Sequence, residues 1–214
     1  MVTQVQIIQW LNVFASVIEH HKEELTELDA AIGDADHGIN MDRGFKKVSN
    51  LLPGLASKDI STIFKTVSMT LISSIGGASG PLYGTWFLRA SSATAGKEEL
   101  TEQDLLYLLQ SGLHGVIERG KAQLGDKTMV DVLSPAVLAF EQAVNEGMET
   151  VAALREAVSA AEQGLQETIP MVAKKGRASY LGDRSVGHQD PGGTSAYFML
   201  RSLLKVVEGS KHRG

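Results

Sequence analysis

Apolar residues recur along most of this chain with a period near 3.6, the spacing that places side chains on one face of an α-helix. The first such stretch reads QVQIIQWLNVFASVIEHHKEEL, and its regularly spaced apolar residues include Val5, Ile8, Leu11, Val17 and Ile18. Seven further stretches show the same spacing. The pattern therefore predicts eight helices, over residues 4–25, 39–52, 59–75, 82–94, 102–120, 129–144, 149–175 and 194–207.

Local signals support several of these helix ends. Asp59 is suited to cap the third helix, and Thr101 with Asp104 has the spacing of a capping box for the fifth. Pro81 falls near the first turn of the fourth helix, where proline is well tolerated. Pro135 lies within the sixth stretch and predicts either a kink or a late start of that helix.

No series of residues shows the two-residue alternation of strands, so we expect an all-α fold. The chain has 214 residues, of which 43% are hydrophobic and 21% charged, and this suits one domain with a substantial core. We therefore expect a single domain over residues 1–214, built as an antiparallel array of eight helices, with a frayed tail at 209–214.

Composition argues against several classes of partner and chemistry. The net charge is −5 without basic runs, which gives no footprint for nucleic acid or for an anionic membrane surface. No stretch reaches the ~18 apolar residues of a spanning helix, and the first residues lack a signal-peptide profile. The chain has no cysteine, so disulfides and thiol chemistry are excluded. A cytoplasmic location fits these features.

The connections between the predicted helices fall into two sets. Those after the second, fourth and sixth helices are short, polar and ordinary. Those after the first, third, fifth and seventh helices are rich in glycine and read GDADHG, GGASGP, GKAQLGDKT and GRASYLGDRSVGHQDPGG. In an up-and-down array these four connections lie at one end, so we expect them to converge on a binding site.

Three carboxylates, those of Asp29, Asp34 and Asp36, fall within eight positions at the first of these connections. Taken alone, they could form either a solvated acidic turn or a metal-binding loop. Gly33 and Gly38 bracket the segment and favour a tight loop, because glycine permits positive φ. The expected convergence of the four connections favours the metal site, and such carboxylates suit Mg²⁺ that also takes oxygens from phosphates.

Two other connections suggest a phosphate group. GGASG, with Ala78 and Ser79 at its centre, precedes a helix and could hold an anion at that helix's N-terminus, although it could also be a flexible connection. Arg177 offers a fork of donors suited to phosphate oxygens, or is a surface charge. A nucleotide with Mg²⁺ satisfies all of these features together.

Three other interpretations are rejected. GKAQLGDKT differs from a Walker A loop, since Asp126 follows the second glycine and no strand precedes it. Zinc is disfavoured because the chain lacks cysteine and a His-x-x-x-His pair. His37 and His188 lie in the glycine-rich connections, where local hydrogen bonding is the more common role of histidine.

Four segments together resemble one known family. LDAAIGDADHGINMDRGF, GGASGPLYGT, RGKAQLGDKTMVDV and KGRASYLGDRSVGHQDPG are similar to segments of the nucleotide-binding L subunits of bacterial dihydroxyacetone kinases. The resemblance implies an eight-helix barrel that carries ADP and two Mg²⁺ ions at one end. This agrees with the binding end inferred from the connections.

The resemblance also implies roles for individual residues. The positions that match the metal ligands of the family are Asp29, Asp34 and Asp36. Gly120 and Met129 match the adenine side, although Met129 could equally fill the core. The positions that match nucleotide contacts are His37, Gly38, Ile39, Asn40, Ala78, Ser79, Gly120, Met129, Arg177, Asp190, Pro191 and Gly192.

As a separate subunit, the chain resembles part of the phosphoenolpyruvate-dependent phosphotransferase. The resemblance implies that ADP is a retained cofactor, which a phosphohistidine on an M subunit rephosphorylates, and that the γ-phosphoryl group passes to dihydroxyacetone on a K subunit. No nucleophile of this chain is required. Alternatives are exchangeable ATP, another small ketone or polyol acceptor, or a non-catalytic regulator that binds ADP and Mg²⁺.

Overall fold

The computed structural model describes residues 1–211 and confirms a mostly helical chain. A two-stranded antiparallel ladder joins β1 (Val2–Thr3) to β2 (Glu99–Leu100), and 3₁₀ helices cover Leu52–Leu55 and Arg177–Ser185. The α-helices of the described residues are α1 (Gln4–His20), α2 (Lys22–Ile32), α3 (His37–Leu51), α4 (Ile60–Ser74), α5 (Ser79–Ala93), α6 (Glu102–Gly120), α7 (Val130–Asn145), α8 (Thr150–Glu167) and α9 (Pro191–Lys211).

The predicted caps are confirmed. The Asp59 side chain accepts a hydrogen bond from the Thr62 N–H at 2.7 Å and so caps α4. Thr101 and Asp104 form the reciprocal capping box of α6. These signals involve partners only three residues apart, which is why the sequence was sufficient to predict them.

The prediction of one continuous first helix is wrong, since the helix is interrupted at His21 and forms two helices, α1 and α2. His21 has φ −98° and ψ 16°, its ring lies 4.5 Å from that of Phe198 on α9, and its Nδ1 lies 2.5 Å from Glu24 Oε2. These contacts hold the break. As a result, α2 extends to Ile32 and carries Asp29 in its last turn instead of in a loop.

The predicted seventh helix is too long. α8 ends at Glu167, and the next turns are held by bonds three residues apart, from the Thr168 N–H to Leu165 and from the Ile169 N–H to Gln166. Pro170 has no N–H and disfavours helical geometry in the residue before it, so the α-helix cannot continue. The segment that follows reaches the binding end.

Pro135 lies inside α7, which begins at Val130, so a late start is wrong. A proline in a helix leaves the carbonyl four residues earlier without its usual N–H donor, here that of Asp131. Gly164 of α8 lies against this carbonyl so closely that a Cβ at Gly164 would overlap it. The two helices therefore approach each other at backbone distance.

Three helices begin earlier than predicted, namely α3 at His37, α5 at Ser79 and α9 at Pro191. α9 also extends to Lys211, so helix covers residues 209–211 of the expected tail, and residues 212–214 lie outside the described part of the chain. The small β1–β2 ladder was not predicted, because two-residue strands have no readable period.

Eight of the helices pack in a closed circuit, in the order α1, α3, α4, α5, α6, α7, α8, α9 and back to α1. The Trp10 indole on α1 donates a hydrogen bond to the Met199 carbonyl on α9 at 2.9 Å, at the closing contact. Buried aromatic rings fill the core beside it, and they are Trp10, Phe14, Phe45, Phe64, Tyr83, Trp86 and Phe87.

Across residues 1–211, no helix combines the length and the low charge that crossing a bilayer requires.

Candidate functional site

A cavity of about 510 Å³ opens at one end of the helix circuit. Each glycine-rich connection contributes to its wall, for example through Asp34, Gly77, Thr128 and Arg177. The expected convergence of the four connections is therefore confirmed. Because the wall is drawn from segments far apart in sequence, the whole circuit must form before the cavity exists.

The acidic trio lies at one side of this cavity. One carboxylate oxygen from each of Asp29, Asp34 and Asp36 can be chosen so that all three lie within 4.8 Å of one another. Asp29 is buried, and its Oδ2 accepts hydrogen bonds from the backbone N–H groups of Asp36 at 2.8 Å and His37 at 3.1 Å. These bonds fold the loop back over the end of α2, and the resulting oxygen cluster suits a hard divalent cation.

The two glycines of this loop serve a different purpose from the predicted one. The positive φ of the turn belongs to Ala35, at 59°, whereas Gly33 has φ −138°. A Cβ at Gly33 would overlap the Asp29 carboxylate, and a Cβ at Gly38 would overlap the Lys22 carbonyl. Both positions are therefore restricted by space and not by backbone conformation.

His37 begins α3 beneath the trio and is buried. Its Nδ1 lies 3.0 Å from Ser79 Oγ, and its Nε2 lies 3.0 Å from Ser195 Oγ. Ser195 Oγ also accepts from the Tyr83 hydroxyl at 2.7 Å and donates to the Gly192 carbonyl at 3.0 Å. With the Ser195 proton donated to Gly192, the network is satisfied when His37 Nε2 carries the ring proton.

Burial lowers the pKa of His37, although the nearby charges of Asp29 and Asp36 oppose this effect. A neutral ring with Nε2–H leaves Nδ1 as an acceptor for the Ser79 hydroxyl. The arrangement thus fixes Ser79 at the first position of α5. His37 makes hydrogen bonds, as predicted, but its side-chain partners are not local, since they lie 42 and 158 positions away in the sequence.

The GGASG segment leads directly into α5, whose first residue is Ser79. Gly77 has φ 65°, and Gly80 lies against the Ile75 carbonyl with no room for a Cβ. The first N–H groups of a helix have no acceptor within it, and Pro81 in this turn has no N–H at all. Ala78 and Ser79 line the cavity, so the N-terminus of α5 lies at its wall and favours an anion there.

Arg177 links the last connection to the acidic trio. Its Nε lies 2.9 Å from Asp34 Oδ2, and the Arg177 side chain remains 69% exposed. The segment that carries Arg177 therefore reaches across the cavity mouth, where the guanidinium can contact an anion.

Asp190 precedes α9 and is buried, with its Oδ2 accepting from the Gly193 N–H at 2.6 Å. Burial raises the pKa of Asp190 to about 7; the charges of Asp131 and Asp29 add to this shift, while the Gly193 bond and Lys127 oppose it. A buried carboxyl with a raised pKa facing a cavity is a feature of functional sites.

Most of the predicted site residues lie at this cavity. Gly38, Ile39 and Asn40 do not line it, since Gly38 and Asn40 are packed inside the protein and Ile39 is exposed. Those that line it are Asp29, Asp34, Asp36, His37, Ala78, Ser79, Gly120, Met129, Arg177, Asp190, Pro191 and Gly192. Met129 is part of the core and also lies at the cavity wall, so its contact with adenine stays a prediction.

Sequence reasoning missed Lys127, which lines the cavity although it is only 1% exposed. It also missed Ser195, which contacts His37, and Tyr83, which donates to Ser195. No sequence signal identifies these roles, because Ser195 lies 158 positions from His37. His188 is exposed and lies outside the cavity wall.

Comparison with known proteins identifies relatives. The family model "DAK2 domain" matches residues 31–205. The ADP-binding subunit DhaL of the PEP-dependent dihydroxyacetone kinase of Escherichia coli is 51% identical over 96% of this chain and 98% of that subunit. The ADP-binding subunit DhaL of the PEP-dependent dihydroxyacetone kinase 1 of Listeria innocua is 42% identical over 93% of this chain and 94% of that subunit.

A solved structure shares the fold. The dihydroxyacetone kinase of C. freundii, in complex with AMP-PNP and Mg²⁺, superposes with a TM-score of 0.72 at 23% identity. The match covers 94% of this chain and 34% of that kinase, so this chain spans about a third of the longer protein. Given the family match and the near full-length similarity to separate subunits, the chain belongs to the DAK2 domain family.

Proposed function

We propose that this chain is the nucleotide-binding subunit of a phosphoenolpyruvate-dependent dihydroxyacetone kinase. The observation that carries the proposal is the acidic trio, whose oxygens lie within 4.8 Å at one wall of the cavity that the N-terminus of α5 also lines. A cation site and an anion site on one cavity fit a metal-bound nucleotide. The names of the near full-length relatives supply the reaction.

The chemistry of the trio suits Mg²⁺, since all its donors are carboxylate oxygens, and the number of two ions comes from the family resemblance. Asp29, Asp34 and Asp36 would hold these ions, and Asp29 is already fixed by two backbone N–H donors. When bound, the metal neutralises charge on the phosphate oxygens, which is the main requirement of phosphoryl transfer.

Other residues of the chain bind and orient the nucleotide. The backbone N–H groups at Ala78 and Ser79 favour phosphate, and Arg177 supplies a further cation at the mouth. Gly120 and Met129 form the side of the cavity proposed for adenine. The remaining proposed contacts are His37, Gly38, Ile39, Asn40, Asp190, Pro191 and Gly192, and among these Gly38, Ile39 and Asn40 would act through the first turn of α3.

The partners follow from the reaction. A phosphohistidine on an M subunit would supply the phosphoryl group, and a K subunit would present dihydroxyacetone. This chain would position the nucleotide and exclude water, with no nucleophile of its own. The closed helix circuit supports the proposal of an eight-helix barrel, which the family resemblance implies.

The first test is the nucleotide content of the purified protein. After extensive dialysis against Mg²⁺ buffer without nucleotide, the protein is denatured and the released nucleotide is quantified. Near-stoichiometric ADP would support a retained cofactor, whereas little ADP with binding restored by added Mg–ADP would favour exchangeable ATP. No binding on addition of Mg–ADP would refute the nucleotide proposal.

A matched variant tests the metal role in the same preparation. Asp34→Asn removes one charge from an exposed position and leaves the core intact. Phosphoryl transfer with the partner subunits should be lost while the helical circular dichroism is kept. Undiminished turnover would exclude the trio from the reaction.

A further inference from the structure

Residues 171–185, here called the Arg177 loop, leave the protein body after α8 and return before α9. Lys175, Gly176, Arg177 and Ala178 in this loop line the cavity, and Arg177 contacts Asp34 across the mouth. The loop therefore forms one wall of the cavity. What holds it in that position lies at its base.

The ends of the loop meet at a single buried ammonium group, that of Lys127. Its Nζ donates to the carbonyl oxygens of Ser185 at 2.6 Å, Met171 at 3.1 Å and, at a longer 3.5 Å, Ile169. Met171 and Ser185 are the first and last residues of the Arg177 loop. Lysine has three N–H donors, so one side chain engages both ends of the loop and the turn before it.

Each of the other contacts at the base joins only two residues. The Ser185 hydroxyl accepts from the Ala173 N–H at 2.9 Å, and the Lys174 N–H donates to the Asp126 carbonyl at 3.0 Å. Beyond these contacts the loop contains Gly176 and Gly182, both with positive φ. The base is thus joined to the protein body by hydrogen bonds, whereas the tip contacts the body through the Arg177–Asp34 ion pair and by packing against α2.

A lysine in this place is costly, which argues that it has a role. The residue is 1% exposed and adopts φ 61°, an unusual conformation for any residue except glycine. Burial lowers the pKa of Lys127, and the charge of Asp190 opposes the shift. An apolar side chain of similar size would remove this donor from the buried Ser185 carbonyl and the half-buried Met171 carbonyl, whereas the Ile169 carbonyl also accepts from the Gly187 N–H at 2.8 Å.

We propose that Lys127 is a positioning residue that pins both ends of the Arg177 loop and thereby keeps Arg177 over the bound nucleotide. The nucleotide part of this inference rests on the proposed function. The inference that Lys127 holds both ends of the loop rests only on the hydrogen bonds of its ammonium group.

The absence of cysteine from the chain allows a direct test. In Lys127→Cys the new thiol is the only one, and alkylation in denaturant followed by refolding modifies it alone. Treatment with 2-bromoethylamine restores an ammonium group on a side chain of lysine length, whereas iodoacetamide gives a neutral amide. Lys65→Cys, on the exposed side of α4, is treated in parallel to control for the chemistry.

Two readouts are compared in Mg²⁺ buffer. An arginine-specific protease reports opening of the loop by its cleavage after Arg177, and release of a fluorescent ADP analogue into excess unlabelled ADP reports retention of the nucleotide. We expect the neutral amide form to be cleaved about tenfold faster and to release the analogue about tenfold faster, because the loop opens more often. The ammonium form should lie within about twofold of the wild type.

The outcomes separate this inference from the proposed function. Equal cleavage of both alkylated forms would overturn the pinning role. Faster cleavage with unchanged analogue release would overturn the link to the nucleotide while the proposed function stood. Failure of the wild type itself to bind the analogue would refute the proposed function, and the protease readout would still decide whether Lys127 holds the loop.

A measurement on the wild type covers the case in which Lys127→Cys does not refold. With ¹⁵N-labelled lysine, one side-chain ammonium should exchange its protons with water far more slowly than the exposed lysines, because its donors are engaged on buried carbonyls. If no lysine shows such protection, Lys127 does not pin the loop.

Discussion

At the scale of single residues, the acidic trio depends on the absence of a side chain at Gly33. A Cβ at this position would overlap the Asp29 carboxylate, which is held by two backbone N–H donors and cannot move freely. We expect Gly33→Ala to weaken Mg²⁺ binding by about tenfold or more, because the trio loses its arrangement. Calorimetric titration with Mg²⁺ in the presence of ADP measures this.

Gly54→Ala is the matched control for that substitution. A Cβ at Gly54 meets no atom within 4 Å, and the residue lies in a 3₁₀ helix away from the cavity. Its Mg²⁺ affinity should equal that of the wild type. Equal affinities for Gly33→Ala and Gly54→Ala would show that the close approach at Gly33 does not matter for the site.

Asp190 predicts a pH dependence of stability in the protein without metal or nucleotide. Its pKa is about 7 in the folded chain, whereas an unfolded aspartate titrates near pH 4. The stabilisation that comes from the raised pKa is therefore complete below pH 4 and is lost as the pH rises through 7. Asp190→Asn keeps an acceptor for Gly193 and has no charge to bury.

Between pH 5 and pH 8 the free energy of unfolding of the wild type should fall by about 2–3 kcal/mol relative to Asp190→Asn, since one pKa unit corresponds to about 1.4 kcal/mol. Urea denaturation at the two pH values gives this difference. Asp183→Asn, at an exposed position, should parallel the wild type. A parallel pH dependence for Asp190→Asn as well would contradict the raised pKa.

Individual residues were predictable where their chemistry is local. Asp34, Asp36 and Ser79 could be identified because carboxylates and glycines stand next to them in sequence. Lys127 and Tyr83 could not, since their partners lie more than forty and more than a hundred positions away. The functions of such residues arise only from folding.

At the scale of helices, the close contact between α7 and α8 requires a residue without a side chain at Gly164. The carbonyl of Asp131, left without an N–H donor by Pro135, lies against Gly164. Gly164→Ala would force the two backbones apart, and we expect a loss of about 1–3 kcal/mol in the free energy of unfolding. Thermal or urea denaturation provides the measurement.

Gly209→Ala in α9 is the control, because a Cβ there meets no atom within 4 Å. Because alanine loses less backbone entropy on folding than glycine does, Gly209→Ala should leave the free energy of unfolding unchanged or raise it by up to about 1 kcal/mol. If Gly164→Ala were also neutral, the α7–α8 approach would be more adaptable than the backbone contact indicates.

Helix ends, like individual residues, were predictable where their partners are close in sequence and not where the partners are distant. Caps such as Asp59 were predictable because their partners are three residues away. The break at His21 was not predictable, since a ring on α9 supports it. The end of α8 carried a signal in Pro170, which the long Ala-rich pattern obscured.

At the scale of the whole molecule, the contact of α1 with α9 closes the helix circuit. Trp10 is fully buried there, touches other aromatic rings and donates to the Met199 carbonyl. Trp10→Phe should reduce the free energy of unfolding by about 1–3 kcal/mol through lost packing and one lost hydrogen bond. Binding of Mg–ADP should persist, because Trp10 does not line the cavity.

Tyr107→Phe is the comparison for this change, since Tyr107 is 60% exposed and its substitution should have an effect below about 0.5 kcal/mol. Urea denaturation of both variants, with ADP binding measured alongside, checks the prediction. Loss of binding in Trp10→Phe without loss of stability would indicate that the closing contact controls the cavity directly.

The helical class was predictable from the period of the apolar residues. The meeting of four connections at one end was predictable because every second connection of an up-and-down array lies at the same end. The closed circuit was not predictable in this way, because the pairing of α1 with α9 leaves no trace in local sequence, and a barrel was expected only from the family resemblance. The β1–β2 ladder, two residues long in each strand, is likewise invisible to any period.

The bond between His37 and Ser195 spans 158 positions and so bears on the order of events during synthesis. The ribosome delivers α1 to α8 first, and these can collapse before α9 emerges, yet the cavity still lacks Asp190, Pro191 and Gly192. A ligand that needs these three residues therefore binds only after they have emerged. By binding the folded chain and not the unfolded one, such a ligand would shift the folding equilibrium towards the complete fold.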